Sequence, residues 1–153
     1  MSPIKEIVIS KDQAAFRLDG RGRWHNVHGP FQHAKIIAHF HRSIRRDAGG
    51  YYLYQDHGTH GEKVYFPYED TALFVWDLEL GPRIVLMLNT GRKMIMDPGN
   101  LTYRDDDLYY TEGDERIKFS ERALLKLGPH LEESHGALSL SYQGKSYPIL
   151  KLG

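Results

Sequence analysis

The sequence predicts an α+β fold with two helices and mostly antiparallel sheets, and three observations predict it. Short segments rich in Val, Ile, Tyr and Phe recur along the chain between clusters of Gly, Pro, Asp and Asn, as strands do between their turns. Two stretches carry a helical pattern, one opening near Gly29-Pro30 and one near Ser120. The order strand, strand, helix, strand, strand occurs twice, in residues 3–70 and 100–153, with the strands of 71–99 forming a central β-hairpin region between the copies.

The β-branched run Ile7-Val8-Ile9 reads as a first strand. Lys11-Asp12-Gln13 then turns the chain, Ala15 to Leu18 returns it, and Trp24 to Val27 adds a short third strand. Pro30 suits the first position of a helix, where its missing N–H costs nothing. From there His33, Ile36, Ile37, Phe40 and Ile44 fall on one stripe and Lys35, Arg42 and Arg46 on the opposite face. Arg45 and Arg46 are placed in the last turn, and Gly49-Gly50 stops the helix.

Five strands follow: Tyr51 to Gln55, Lys63 to Tyr68, Leu73 to Leu80, Arg83 to Asn89 and Lys93 to Met96. In the third of these Phe74, Trp76, Leu78 and Leu80 share a face opposite Asp77 and Glu79. Ile84 to Leu88 is apolar on both faces and is read as a central strand. The last third gives Leu101 to Arg104, Leu108 to Thr111 and Arg116 to Phe119, then a helix capped by Ser120 and ended by Gly128-Pro129. Ala137 to Tyr142 and Ser146 to Lys151 close the chain around Gln143-Gly144. Across the copies, Ile7, Ile9, Asp12 and Phe16 align with Leu101, Tyr103, Asp106 and Tyr110 without a gap.

The 153 residues fit one domain, 1–153, long enough to bury roughly two-thirds of the unfolded surface. Lys plus Arg and Asp plus Glu are each 20, so no general electrostatic grip on nucleic acid or an anionic membrane is expected. The absence of cysteine excludes disulfides, thiolate catalysis and cysteine-ligated zinc. Met1 to Asp12 does not read as a signal peptide, and the longest apolar run, Ile84 to Leu88, falls far short of the roughly 20 residues of a membrane helix, so the expected location is the cytoplasm.

Trp24-His25-Asn26-Val27-His28-Gly29-Pro30-Phe31, the helix after it, Gly50-Tyr51-Tyr52-Leu53, Glu62-Lys63-Val64 and Glu69-Asp70 stand in an order that resembles a bacterial domain-of-unknown-function family, number twelve eighty-five. The resemblance covers roughly residues 15 to 80, and more loosely the rest. Phe31 replaces the usual Ile, and the His57-Gly58-Thr59-His60 loop is longer than the pattern. The resemblance implies an α+β architecture with repeated motifs, no established enzymatic activity, and a role in signal transduction or ligand binding.

Candidate chemistry centres on histidine, present nine times. His25 and His28 are three apart, as are His57 and His60, and two such pairs brought together would offer four imidazoles to Zn or Ni. The alternative is exposed loop histidines, since no His-Glu-x-x-His accompanies them. His33 reads as a histidine at the edge of the core. Gly-x-Ser-x-Gly, Ser-x-x-Lys and phosphate-cradle motifs are all missing, and Asp105-Asp106-Asp107 lacks the distal Glu of a calcium loop.

Three functions are expected in order. The first is a non-enzymatic regulatory domain with no cofactor, binding a small-molecule ligand or a protein partner in a cleft lined by Trp24, His25, His28, Tyr54, His57, His60 and Glu62. The second is a metal-binding protein or hydrolase built on His25, His28, His57 and His60. The third is a homodimeric assembly module, joined through exposed Phe74 and Trp76.

Overall fold

The computed structural model describes residues 5–152, which group into two compact units, one ending at Ala72 and one beginning at Leu73. The fold is α+β. Among the described residues there are two α-helices, and every strand pairing is antiparallel except three. The outermost positions of the repeat bounds, residues 3, 4 and 153, lie outside the described residues.

The first unit opens with β1 (Lys5–Ile9), a 3₁₀ turn (Lys11–Gln13), β2 (Arg17–Leu18), β3 (Trp24–Asn26) and β4 (Gly29–Pro30). Helix α1 (Ala34–Arg42) follows, then β5 (Ile44–Asp47), β6 (Gly50–Asp56) and β7 (His60–Tyr65). One sheet has the order β1-β7-β6-β5 and a small one the order β2-β3-β4. β1 does not form a hairpin with the segment after it. None of Lys11, Asp12 and Gln13 takes the positive φ that a tight hairpin turn needs. β1 instead lies parallel to β7, with Lys5 opposite His60 and Ile9 opposite Val64.

The helix starts later and stops earlier than its stripe suggests. Gly29, at φ +112, turns β3 into β4, an edge strand on which Pro30 lacks only an N–H that nothing requires. After Arg42 the chain leaves as β5, so Arg45 and Arg46 lie on a strand beside β6. Gly50, at φ +113, serves that hairpin and not a helix end. Tertiary pairing overrides the helical period here, because the aromatic strand β6 offers Ile44 a buried place opposite Leu53.

The second unit contains β8 (Phe74–Glu79), β9 (Val85–Leu88), β10 (Lys93–Ile95), β11 (Leu101–Arg104), β12 (Asp107–Glu112), β13 (Glu115–Phe119), α2 (Glu121–Leu127), β14 (Leu131–Ser134), β15 (Ala137–Tyr142) and β16 (Lys145–Lys151). These strands form one sheet of order β10-β9-β8-β13-β12-β11-β16-β15-β14. Leu78, Leu86, Leu101, Tyr109, Tyr110, Ile117 and Leu140 fill its core. Within this sheet β11-β16-β15-β14 runs in the same order and sense as β1-β7-β6-β5, with the first pair parallel and the others antiparallel.

Two expectations for this unit are corrected. β9 is second from the edge and not central: Ile84, Leu86 and Leu88 are buried while Val85 and Met87 are half-buried. A bulge between Val75 and Asp77 breaks the alternation of β8, so Phe74 and Val75 are both buried, Trp76 is half-buried and Leu80 is exposed. With Phe74 1% exposed, the assembly face expected from Phe74 and Trp76 is not available.

Ser120 caps α2: its Oγ accepts from the Ala123 N–H at 3.2 Å and donates to the Trp76 carbonyl at 3.1 Å. The cap turns Ala123 and Leu127 inward, where both are fully buried. Lys126 and Arg122 on this helix reach Asp77 at 2.9 and 3.4 Å. The hydrogen bonds from Lys126 and from the Leu78 N–H hold the Asp77 carboxyl below its ordinary range. No helix among the described residues is long and apolar enough to cross a membrane.

Ser120→Ala removes the cap and the bond to the Trp76 carbonyl together, and is expected to lower unfolding free energy by about 1–2 kcal/mol. The urea midpoint of the full chain checks this, with Ser120→Asp, which keeps a capping oxygen, recovering part of the loss.

Candidate functional site

Trp24, expected in a ligand cleft, lies instead at the centre of the first unit, 1% exposed. Its ring is edge-on to Phe16, Phe40 and Phe66 at centroid distances of 5.8, 5.3 and 5.0 Å. A buried indole N–H needs an acceptor. His41 of α1 supplies it, Nε1 to Nδ1 at 3.2 Å. His41 is the one fully buried residue of α1. Burial pushes its imidazole down to about 4, so the ring is neutral and Nδ1 is free to accept.

His25 is likewise committed, its Nε2 lying 2.7 Å from Asp19 Oδ2. Asp19 Oδ1 also accepts from the Arg21 and Arg23 N–H groups at 2.9 Å each. Burial opposes the Asp19 charge, but bonds from the Arg23 amide, the His25 ring and the Arg21 amide outweigh it and hold the carboxyl below its ordinary range. The glycine- and arginine-rich turn 19–23 thus folds around its own carboxylate.

His28 lies at the mouth of a cleft of about 460 Å³, between the β3–β4 turn and the start of α1. Phe31, Ile36 and Phe40 form its apolar floor, while Asn26, Gln32 and His33 add polar groups. Phe31 packs edge-on to Phe40 at 5.0 Å. The sequence reading missed Phe31, Gln32, Ile36 and Phe40 as site residues and placed His33 at the core edge, whereas His33 is exposed and stands at the N-cap of α1. The sequence carried only a partial signal: Ile36 lies at one edge of the apolar stripe, about 100° round the helix from Ile37. In the second unit, Arg83, Asp97, Gln143 and Lys145 border a cleft of about 430 Å³. There Tyr142 and Gln143 both donate to the Gly81 carbonyl, at 2.6 and 2.9 Å.

The structure brings His57, His60 and Glu62 together. Gly58 and Thr59 form the tip of the β6–β7 hairpin, Gly58 at φ +82, closed by the His57 N–H donating to the His60 carbonyl at 2.9 Å. His57 and His60 are therefore opposite one another, with rings stacked at 4.8 Å and 28°. Glu62, two residues on, faces the same side. Ligand-type atoms of all three lie within 4.8 Å of one another, and His57 Nε2 is 3.9 Å from Glu62 Oε2. Tyr54 is on the other face, its ring crossing Gly61 and lying 4.4 Å under the Arg45 guanidinium. Of the four histidines expected to converge, the structure brings two together and separates His25 and His28 from them by their own partners and place.

The arrangement of strands and helices can be compared with known structures. A crystal structure of a DUF1285 family protein from Silicibacter pomeroyi DSS-3 superposes with a TM-score of 0.63, covering 96% of this chain and 83% of that one at 16% identity. The two share a fold. A DUF1285 family protein from Shewanella baltica OS155 aligns with 70% of this chain and 84% of its own at 19% identity and a TM-score of 0.49, and the likeness in fold rests on the first. These neighbours carry the family name that the sequence resemblance suggests. No family model matches the chain, and no curated protein matches it.

His41 makes stability depend on pH in a defined window. Below about pH 6.5 the unfolded chain takes up a proton at this imidazole that the folded chain refuses until about pH 4. Stability is therefore expected to fall by about 3 kcal/mol as pH drops through that window, and to be free of this contribution above it. Urea titrations at stepped pH test this: His41→Gln keeps an acceptor for Trp24 but cannot titrate, so its slope between pH 6.5 and 4 should flatten. An unchanged slope would show that another group is responsible.

Proposed function

We propose that this chain is a non-enzymatic ligand-binding domain of regulatory kind, and that its ligand sits in the cleft beside α1. The observation that carries the reading is the uncovered apolar floor. Ile36 is 46% exposed, and Val27, on the adjoining turn, is 89% exposed. Apolar surface of this kind, bordered by the amides of Asn26 and Gln32 and the imidazoles of His28 and His33, suits a molecule with an aliphatic or aromatic body and a hydrogen-bonding head. The fold is shared with a protein of a domain-of-unknown-function family, which assigns no ligand.

The matching strand orders β1-β7-β6-β5 and β11-β16-β15-β14, each with a helix entering the last three strands, support a further part of the reading. We take them as two copies of one ancestral unit. In this reading the first copy has kept a free cleft, and a place in signal transduction follows from ligand binding without chemistry.

A thermal-shift screen of the full chain against metabolite classes tests the cleft. Ligand at a hundredfold excess over its dissociation constant adds about 2.7 kcal/mol to the folded state, a shift of several degrees. Ile36→Asp, at a half-exposed position, should abolish the shift while leaving the unliganded melting temperature nearly unchanged. A shift that survives Ile36→Asp, or a library that moves nothing at millimolar concentration, would end this assignment.

A further inference from the structure

We propose that the tip of the β6–β7 hairpin is a divalent-metal site, with His57, His60 and Glu62 as its protein ligands and Zn²⁺ or Ni²⁺ as its occupant. The site is separate from the α1 cleft and does not depend on it.

Alternation along the hairpin supplies the geometry. Leu53 and Val64 form a directly opposed pair on the inner face, almost fully buried, and the next positions toward the tip on that face are Gln55 with Glu62, then His57 with His60. The apolar face of the sheet thus ends in two imidazoles and a carboxylate. Glu62 and His60 are half-buried and His57 is exposed, so the group emerges from the core at the surface with a way in for an ion.

The donor set is that of a borderline cation: two nitrogens and one carboxylate oxygen, with no thiolate. Tetrahedral zinc at 2.0–2.1 Å from its ligands places them about 3.4 Å apart. The 3.9 Å between His57 Nε2 and Glu62 Oε2 is close to that already, and small side-chain rotations at an exposed tip close the remainder. Three protein ligands leave a fourth position for water.

Supporting contacts hold the ligands in place. His60 Nδ1 lies 3.0 Å from Thr59 Oγ1. With Nδ1–H donated to that hydroxyl, Nε2 presents its lone pair to the ion, the arrangement that usually orients a metal-bound imidazole. Asp56 Oδ1 accepts the Gly58 N–H at 2.8 Å and fixes the loop that sets the distance between the two rings. Lys5, in register with His60 on β1, is the neighbouring cation, and being exposed it has water to turn into.

The test is titration of the chelator-treated full chain with ZnCl₂ by calorimetry, and with CoCl₂ followed by visible absorption. The wild type should bind one equivalent of Zn²⁺ and give the visible bands of Co²⁺ held by nitrogen and oxygen. Each of His57→Gln, His60→Gln and Glu62→Gln should weaken Zn²⁺ by at least about tenfold, and Thr59→Val should weaken it less. The His25→Gln/His28→Gln double variant should bind as the wild type does. Melting temperatures of the metal-free tip variants should match the wild type, which separates lost ligands from lost folding. Wild-type affinity in the His57→Gln/His60→Gln variant, a loss confined to the His25/His28 variant, or no uptake by the wild type would each overturn the proposal.

Discussion

The first unit is organised by one buried polar contact, the Trp24 indole N–H directed at the His41 ring. An indole this deep cannot keep its hydrogen bond to water, and leaving it unmade would cost about 1–3 kcal/mol. The requirement binds β3 to α1 and fixes the rotation of the helix about its axis. Once His41 turns inward, Phe40 is only half-buried and packs edge-on to Trp24, Phe16 and Phe31 at 5.0–5.3 Å. Ile36, one turn earlier, is then left outside. The cleft floor thus follows from satisfying one N–H, and so does the neutral state of His41.

The sheet β1-β7-β6-β5 has two faces with different fates. On one, Lys63 lies 2.7 Å from Asp47 and 4.6 Å over the Tyr52 ring, and the Tyr65 hydroxyl donates to the same Asp47 carboxylate. Hydrogen bonds from Lys63 and then Tyr65 hold the Asp47 carboxyl below its ordinary range, while the carboxylate holds Lys63 above its own. Tyr52 and Tyr65 are thereby engaged within their own unit, Tyr52 beneath Lys63 and Tyr65 on Asp47. The opposite face carries the buried pairs Ile44–Leu53 and Leu53–Val64, and the hairpin places His57, His60 and Glu62 on its last two rows.

Much of the strand order was legible, because strands such as Leu101–Arg104 and Ala137–Tyr142 are bounded by turn residues that act locally. Ser120 was legible as a cap for the same reason. What the sequence concealed was non-local. The α1 stripe does not reveal that Ile44 pairs with Leu53, nor that Lys11–Gln13 fails to reverse the chain into a hairpin. The bulge in β8 changes which residues share a face, and no local pattern announces it. The site was legible in part: His-x-x-His within a two-residue turn juxtaposes its rings by alternation alone, and Glu62 follows two residues on. Trp24, His25 and Tyr54 could not be sorted from ligand contacts, since Asp19, His41, Arg45 and Gly61 come to them through the fold.

The same strand order with different end groups explains why the candidate chemistry lies in the first unit. In the second, Ser120 closes the helix start, Lys126 and Arg122 are tied to Asp77, and the Tyr142 and Gln143 donors at the β15–β16 turn meet the Gly81 carbonyl. In the first, α1 starts at His33 without a side-chain cap, and the hairpin tip carries two imidazoles beside a carboxylate. Stability alone would favour the arrangement of the second unit at both places, because a cap at a helix start contributes about 1 kcal/mol. Exposed Ile36 and stacked His57 and His60 add little to folding, and these are the residues on which the proposed cleft and the proposed metal site rest.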